Sequence, residues 1–195
     1  CSEHFLEGVD FIKIDAEGEE ENVIRGGEKL FRISSPLVMF EIGVEERYLA
    51  VIKILQNQSY EIYRHVPGLN CLAPVDPGED LDSFQLNLFA CKQDRAQWLI
   101  EKNLLTPKIS DRDARDGSAT LAAKIDPNNF PHFKFFDKSW VQEPSGTNFE
   151  ETAYLGAIVR YGRAQDKSRR ISERFTMLQA SHNDLRELCT RHPSR

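Results

Sequence analysis

Two carboxylates separated by a single residue, Asp15 and Glu17, close a run of branched and aromatic residues, Val9-Asp10-Phe11-Ile12-Lys13-Ile14. Such a run, stopping abruptly at Asp15-Ala16-Glu17-Gly18, reads as a β-strand that delivers acidic side chains to the edge of a sheet. Gly18 leaves the backbone free to turn sharply into whatever follows. Open α/β sheets bind their ligands beyond the carboxyl ends of parallel strands, so both acids are expected in a crevice there. A carboxylate in that position can accept a proton or fix a hydroxyl group. The structural alternative is that Asp15 caps the next helix through its side chain. A third acid, Glu41, ends the apolar run Leu37-Val38-Met39-Phe40 and is expected on the wall of the same crevice. Lys13, on the strand, is expected to bring its amine near these acids or to serve as a simple charge partner for one of them.

Other chemistries have weaker carriers. Asp15 and Glu17, with Glu19 to Glu21 beside them, form an oxygen-rich set able to hold a divalent cation, which would suit a metal-dependent phosphotransfer or hydrolase site. His65 follows a strand and precedes Pro67-Gly68, and reads as a loop histidine. His4, His132, His182 and His192 stand at no spacing that suggests a triad or metal ligation. No serine sits in a G-x-S-x-G turn. The four cysteines, Cys1, Cys71, Cys91 and Cys189, form no CxxC pair, so reduced structural thiols are expected, with no metal site.

The elements that must position the acids follow from patterning. A helix is expected from about Glu19, with Glu19, Glu20 and Glu21 in its first turn, where carboxylates oppose the positive end of the helix dipole. Gly26-Gly27 should break it. After Ser34-Ser35-Pro36, the unbroken Leu37–Phe40 run suits a strand buried on both faces of a parallel sheet. A helix over Arg47–Gln56, a strand over Tyr60–Tyr63, a loop rich in Pro, Gly and Asp, and a strand over Phe84–Cys91 complete the order β-α-β-α-β-β. Because a loop joins the last two strands, an antiparallel strand is expected at one edge.

Beyond Gln93 the character changes. Asp94–Leu105 reads as helical, and 106–146 is irregular, with Phe130, Phe133, Phe135 and Phe136 close together. Two helices, over Phe149–Gln165 and Ser168–Cys189, should pair as a hairpin. Ser168 is the expected N-cap; Tyr154, Ile158, Tyr161, Ile171, Phe175 and Leu178 should face inward. The expected division is an α/β domain over 1–92 and a mostly helical extension over 93–195, whose terminal helices offer a face for a protein contact.

Composition bounds the partners. The 195 residues are 40% hydrophobic and 29% charged, enough to bury a core. The mean hydropathy of −0.50 and the lack of a long apolar run argue against a membrane span. With no basic-then-apolar leader in view, a cytoplasmic location is expected. The net charge is −6, divided as −9 over residues 1–92 and +3 over 93–195. An acidic first half speaks against binding nucleic acid there.

The segment Asp10–Gly27 (DFIKIDAEGEEENVIRGG), then Pro36–Glu41 (PLVMFE), then Asn87-Leu88-Phe89-Ala90 resembles the later half of an FkbM-family methyltransferase. The resemblance runs over about residues 8–92 and includes the family's IKID-x-EG strand end, its acidic helix start and its closing NLFA-like strand. It implies a class I, Rossmann-like sheet, here its later strands with an antiparallel edge strand, and S-adenosylmethionine as cofactor. It also implies O-methylation of a hydroxyl on a sugar or small metabolite. On this resemblance Asp15 is the strand-end aspartate, Glu17 the glutamate after it, and Glu41 the glutamate closing the next strand. The family's glycine-rich first turn and acidic ribose-binding position come before this part of the fold, so no cofactor-binding residue is assigned. The chain is then expected to be a fragment, inactive alone. The other class of function left open is a non-catalytic binding or scaffold module.

Overall fold

The structure is a computed structural model that describes residues 8–42, 45–76, 86–108 and 149–191. The chain divides into two compact units, Cys1–Lys108 and Ile109–Arg195. In the first unit the elements are β1 (Phe11–Ile14), α1 (Glu20–Gly26), α2 (Glu28–Ser34), β2 (Leu37–Glu41) and α3 (Glu45–Asn57). They are followed by β3 (Glu61–Val66), β4 (Cys71–Pro74), β5 (Asn87–Cys91) and α4 (Gln93–Glu101).

One five-stranded sheet has the order β1-β2-β5-β3-β4. β1 and β2 are parallel, with Ile14 opposite Phe40, and β5 runs antiparallel to both β2 and β3. The four strands expected from the sequence therefore share one sheet, with the first two adjacent and parallel. Alternation sorts the side chains into two layers. Ile14, Val38, Phe40, Ile62, Leu88 and Ala90 pack on one face with Ile24, Phe31, Val51 and Leu55 of the helices. Each large apolar side chain so buried is worth about 1.5–3 kcal/mol. On the other face Tyr63, Leu72 and Cys91 pack with Ala96 and Leu99 of α4, and Leu37 and Phe89 lie against them.

Three expectations change. An antiparallel strand does close one edge, but it is β4, from a stretch read as loop; β5 lies inside the sheet, between β2 and β3. Pro67-Gly68-Leu69-Asn70 is the tight turn of a β3–β4 hairpin, in which Asn70 has φ 53 and donates its amide to the Val66 carbonyl. The composition of that stretch marks the turn and hides the four-residue strand beyond it. The second change is the boundary at residue 92: α4 belongs to the first unit, because Ala96 and Leu99 complete the core of the sheet's second face. The break at Gly26-Gly27 appears where expected, between α1 and α2.

The third change concerns the second unit, a hairpin of α5 (Phe149–Ala164) and α6 (Ile171–Arg191). Ile171 and Phe175 are buried as expected, but on α5 the fully buried positions are the small Ala157 and Ala164, and Tyr161 is exposed. Small residues let the helices approach, and the Ser181 hydroxyl donates to the Ala157 carbonyl at 2.7 Å across the seam. Arg160 and Asp184 pair between the same helices. Ser168 lies in the turn, not at the cap: its amide and hydroxyl both donate to Asp166 Oδ1. The Phe130–Phe136 cluster falls outside the described residues.

Candidate active site

Parallel strands share their polarity, so β1 and β2 end together. Asp15 follows the Ile14–Phe40 pair by one residue, and Glu41 is the last residue of β2. Both residues therefore stand at the same edge of the sheet, on adjacent strands.

Lys13 Nζ donates to Asp15 Oδ2 at 2.8 Å. β-strand alternation accounts for the bond, since residues 13 and 15 lie on one face while Ile12 and Ile14 turn to the core. The ammonium beside Asp15 holds its carboxyl below the ordinary value, through the hydrogen bond first and then through charge, and Asp15 in turn raises Lys13. The side chains of Lys13 and Asp15 are 53% and 45% exposed, so the pair stands on an open sheet edge and not inside a closed pocket. A carboxyl held low is a weak base and a steady acceptor of hydrogen bonds. Asp15 does not cap α1, whose N-cap residue Glu19 makes no side-chain cap bond.

Glu17 is placed differently. It is exposed in the β1–α1 turn, with a left-handed backbone at φ 50, followed by Gly18 at φ 103. It makes no hydrogen bond or ion pair to Asp15 or Glu41 in the structure. The turn is held by Glu20, whose Oε1 accepts from the amides of Ala16 at 3.1 Å and Gly18 at 3.0 Å. Sequence reading placed Glu20 only as a helix-dipole partner. The signal for its second role is a glutamate at the first helical position, two residues after the strand-end glycine and near enough to reach back to the turn amides. His65 is exposed, 3.4 Å from Asn70 Oδ1 in the β3–β4 hairpin, and serves that turn.

The other end of β1 is anchored from α4, where Arg95 Nη2 donates to Asp10 Oδ1 at 2.8 Å. Beneath the sheet, the Phe31 carbonyl accepts from both Tyr60 Oη and Lys92 Nζ, which fastens the end of α2 to the starts of β3 and α4. Cys91, buried beside Tyr63, has its thiol pushed up to about 12 by burial and is inert as a nucleophile. Among the described residues no group of three His, Cys, Asp or Glu side chains is placed to hold a metal ion, and no helix is long and apolar enough to cross a membrane.

Neither a curated protein nor a solved structure matches the chain. A family model described as the Methyltransferase FkbM domain matches residues 1–62. The match spans β1 to the start of β3 and contains Lys13, Asp15, Glu17 and Glu41; it stops short of the Asn87–Ala90 strand that the sequence resemblance included. Over residues 1–62 the chain is similar to an FkbM methyltransferase domain.

Proposed function

We propose that this chain is the later part of a class I methyltransferase domain that uses S-adenosylmethionine to methylate a hydroxyl of a sugar or small metabolite in the cytoplasm. The observation that carries the reading is the placement of Asp15 and Glu41 at the carboxyl edge of adjacent parallel strands, inside the segment that matches the family. Bound S-adenosylmethionine would supply the methyl group. The described residues suit the acceptor and not the donor. The amides of the β1–α1 turn are already bonded to Glu20, and among the described residues no run of glycines joins a strand to a helix. What this chain contributes is therefore at the acceptor. Asp15 accepts a hydrogen bond from the hydroxyl and orients it; Glu41 stands at the same edge on the neighbouring strand; Glu17 lines the turn. Holding an oxygen in line and relieving it of a proton is the larger part of what a methyl transfer needs from a protein.

The metal-dependent hydrolase alternative has less support, because Asp15 is committed to Lys13 and no three-ligand group is found among the described residues. The test is a methyl-transfer assay with labelled S-adenosylmethionine and a panel of polyol acceptors, on the polypeptide encoded by the complete reading frame. Asp15→Asn should lower turnover by about 10²-fold or more. Full turnover in that variant, or magnesium-dependent phosphatase activity lost with it, would overturn the reading.

A further inference from the structure

We propose that Asn87 and His65 extend the acceptor site across the sheet, and that its ligand is a neutral saccharide of more than one ring lying over the ends of four strands. That this saccharide is the methyl acceptor rests on the methyl-transfer reading; the geometry that would hold it does not.

Strand register puts four polar residues in one line. Asp15 follows Ile14, which lies opposite Phe40, and so falls level with Glu41. Glu41 is paired directly with Asn87 of β5. His65 follows Arg64, which lies opposite Leu88, and so falls level with Asn87. Alternation turns all four to the same face. Their neighbours Ile14, Phe40 and Leu88 pack in the core of the first face, whereas Leu72, opposite His65, packs on the second. Asp15, Glu41 and His65 are exposed and Asn87 is half-buried, so the line is open to a ligand. Neighbouring strands stand about 4.8 Å apart, which makes the line from Asp15 to His65 about 14 Å long, more than one sugar ring covers.

The groups along this line suit hydroxyls. The carboxylates accept hydrogen bonds, the Asn87 amide both accepts and donates, and a ring nitrogen of His65 can do either. His65 Nε2 lies 3.4 Å from Asn70 Oδ1, a long contact that leaves Nδ1 for a ligand. Lys13 is committed to Asp15 at 2.8 Å, so the line as a whole is acidic and disfavours a phosphorylated or carboxylated ligand. The next line on the same face, paired as Lys13–Met39, Met39–Phe89 and Phe89–Tyr63, is apolar in its middle, and Met39 and Phe89 are half-buried. An apolar floor beside a few fixed polar groups is the usual make-up of a small-molecule site. A saccharide has both matching sides, hydroxyls at the ring's rim and C–H groups on its face. With one ring's hydroxyl at Asp15, the rest of the chain runs toward Asn87 and His65, which select for its length.

The test is calorimetry of the polypeptide encoded by the complete reading frame with a panel of neutral methyl glycosides and the trisaccharides built from them, on the wild type, Asn87→Ala and His65→Ala. At least one trisaccharide should bind about tenfold more tightly than its monosaccharide. Each variant should weaken that trisaccharide by about three- to tenfold, the loss of one hydrogen bond, and leave the monosaccharide unchanged. Equal affinity for the two sugars, variants that bind as the wild type does, a variant that weakens both sugars alike, or no binding by any member of the panel would overturn the inference. Should Asn87→Ala fail to fold, the exposed His65→Ala carries the comparison alone. The binding measurement needs no turnover. A trisaccharide that binds in this pattern but accepts no methyl group overturns the methyl-transfer reading and leaves the inference standing; methyl transfer with an unchanged acceptor KM in both variants does the reverse.

Discussion

Glu17 occupies a backbone conformation, φ 50, that glycine adopts freely and other residues adopt at a cost of about 1–2 kcal/mol. Glu17→Gly should therefore raise stability by about 1 kcal/mol in urea melts, despite the greater freedom that glycine has in the unfolded chain. If the same variant loses methyl transfer in the complete protein, the glutamate is kept for chemistry; if activity survives, the turn alone explains it. The Lys13–Asp15 pair has a pH signature. The folded-state value of Asp15 is lowered from 3.8, so its contribution is complete above that value and is lost as pH falls through the folded one. Lys13 is raised from 10.5, so its contribution is complete below that value and is lost as pH rises through the folded one. Lys13→Met should be less stable than wild type between these limits, with the difference fading at both extremes and at high salt.

At the scale of elements, neighbouring glycines give opposite expectations. A Cβ on Gly26 meets nothing within 4 Å, whereas one on Gly27 would lie 2.9 Å from the Phe31 ring and 3.2 Å from the Val23 carbonyl. Phe31 is only 2% exposed, stands edge-on to Tyr60, and its carbonyl holds Tyr60 and Lys92. Gly27→Ala should cost about 1–3 kcal/mol by overpacking, and Gly26→Ala should gain up to about 1 kcal/mol from helix propensity, both read from denaturant melts. In the second unit Phe175 is 5% exposed, so Phe175→Ala should cost about 3–5 kcal/mol. A loss below about 1 kcal/mol would show that α5 and α6 do not depend on that contact. Side-chain size does not by itself mark the seam of these helices: Ile171 and Phe175 are buried, but Tyr161 is exposed. Ala157 and Ala164 are buried because they are small, and period alone does not say which stripe of an amphipathic helix with apolar residues on two sides will meet its partner.

For the whole molecule, the expectation concerns the cofactor. At the described sheet edge the amides of Ala16 and Gly18 are already bonded to Glu20, so on the proposed reading calorimetry of residues 1–195 with S-adenosylmethionine should show weak binding or none. Tight stoichiometric binding would mean that residues outside those described complete a donor site. The same edge is half exposed at Lys13 and Asp15, which is why the complete reading frame is the right subject for the turnover assay.

Local pattern determined more of this protein than its modest size suggests. The run Phe11–Ile14, the acids that end it and the unbroken Leu37–Phe40 stretch were legible because strand alternation and burial on both faces write themselves into consecutive residues. With parallel polarity granted, the meeting of Asp15 and Glu41 followed. Only the tertiary structure decided that β5 slips between β2 and β3, that Cys71–Pro74 is an edge strand, and that α4 closes the sheet's second face. Strand order and helix docking are set by contacts between residues far apart in the chain, such as Phe40 with Leu88 and Arg95 with Asp10, and no local period encodes them. The commitment of Lys13 to Asp15 lies between the two cases. Spacing put the groups on one face, but the place of Glu41 at the same sheet edge came only from pairing β1 with β2.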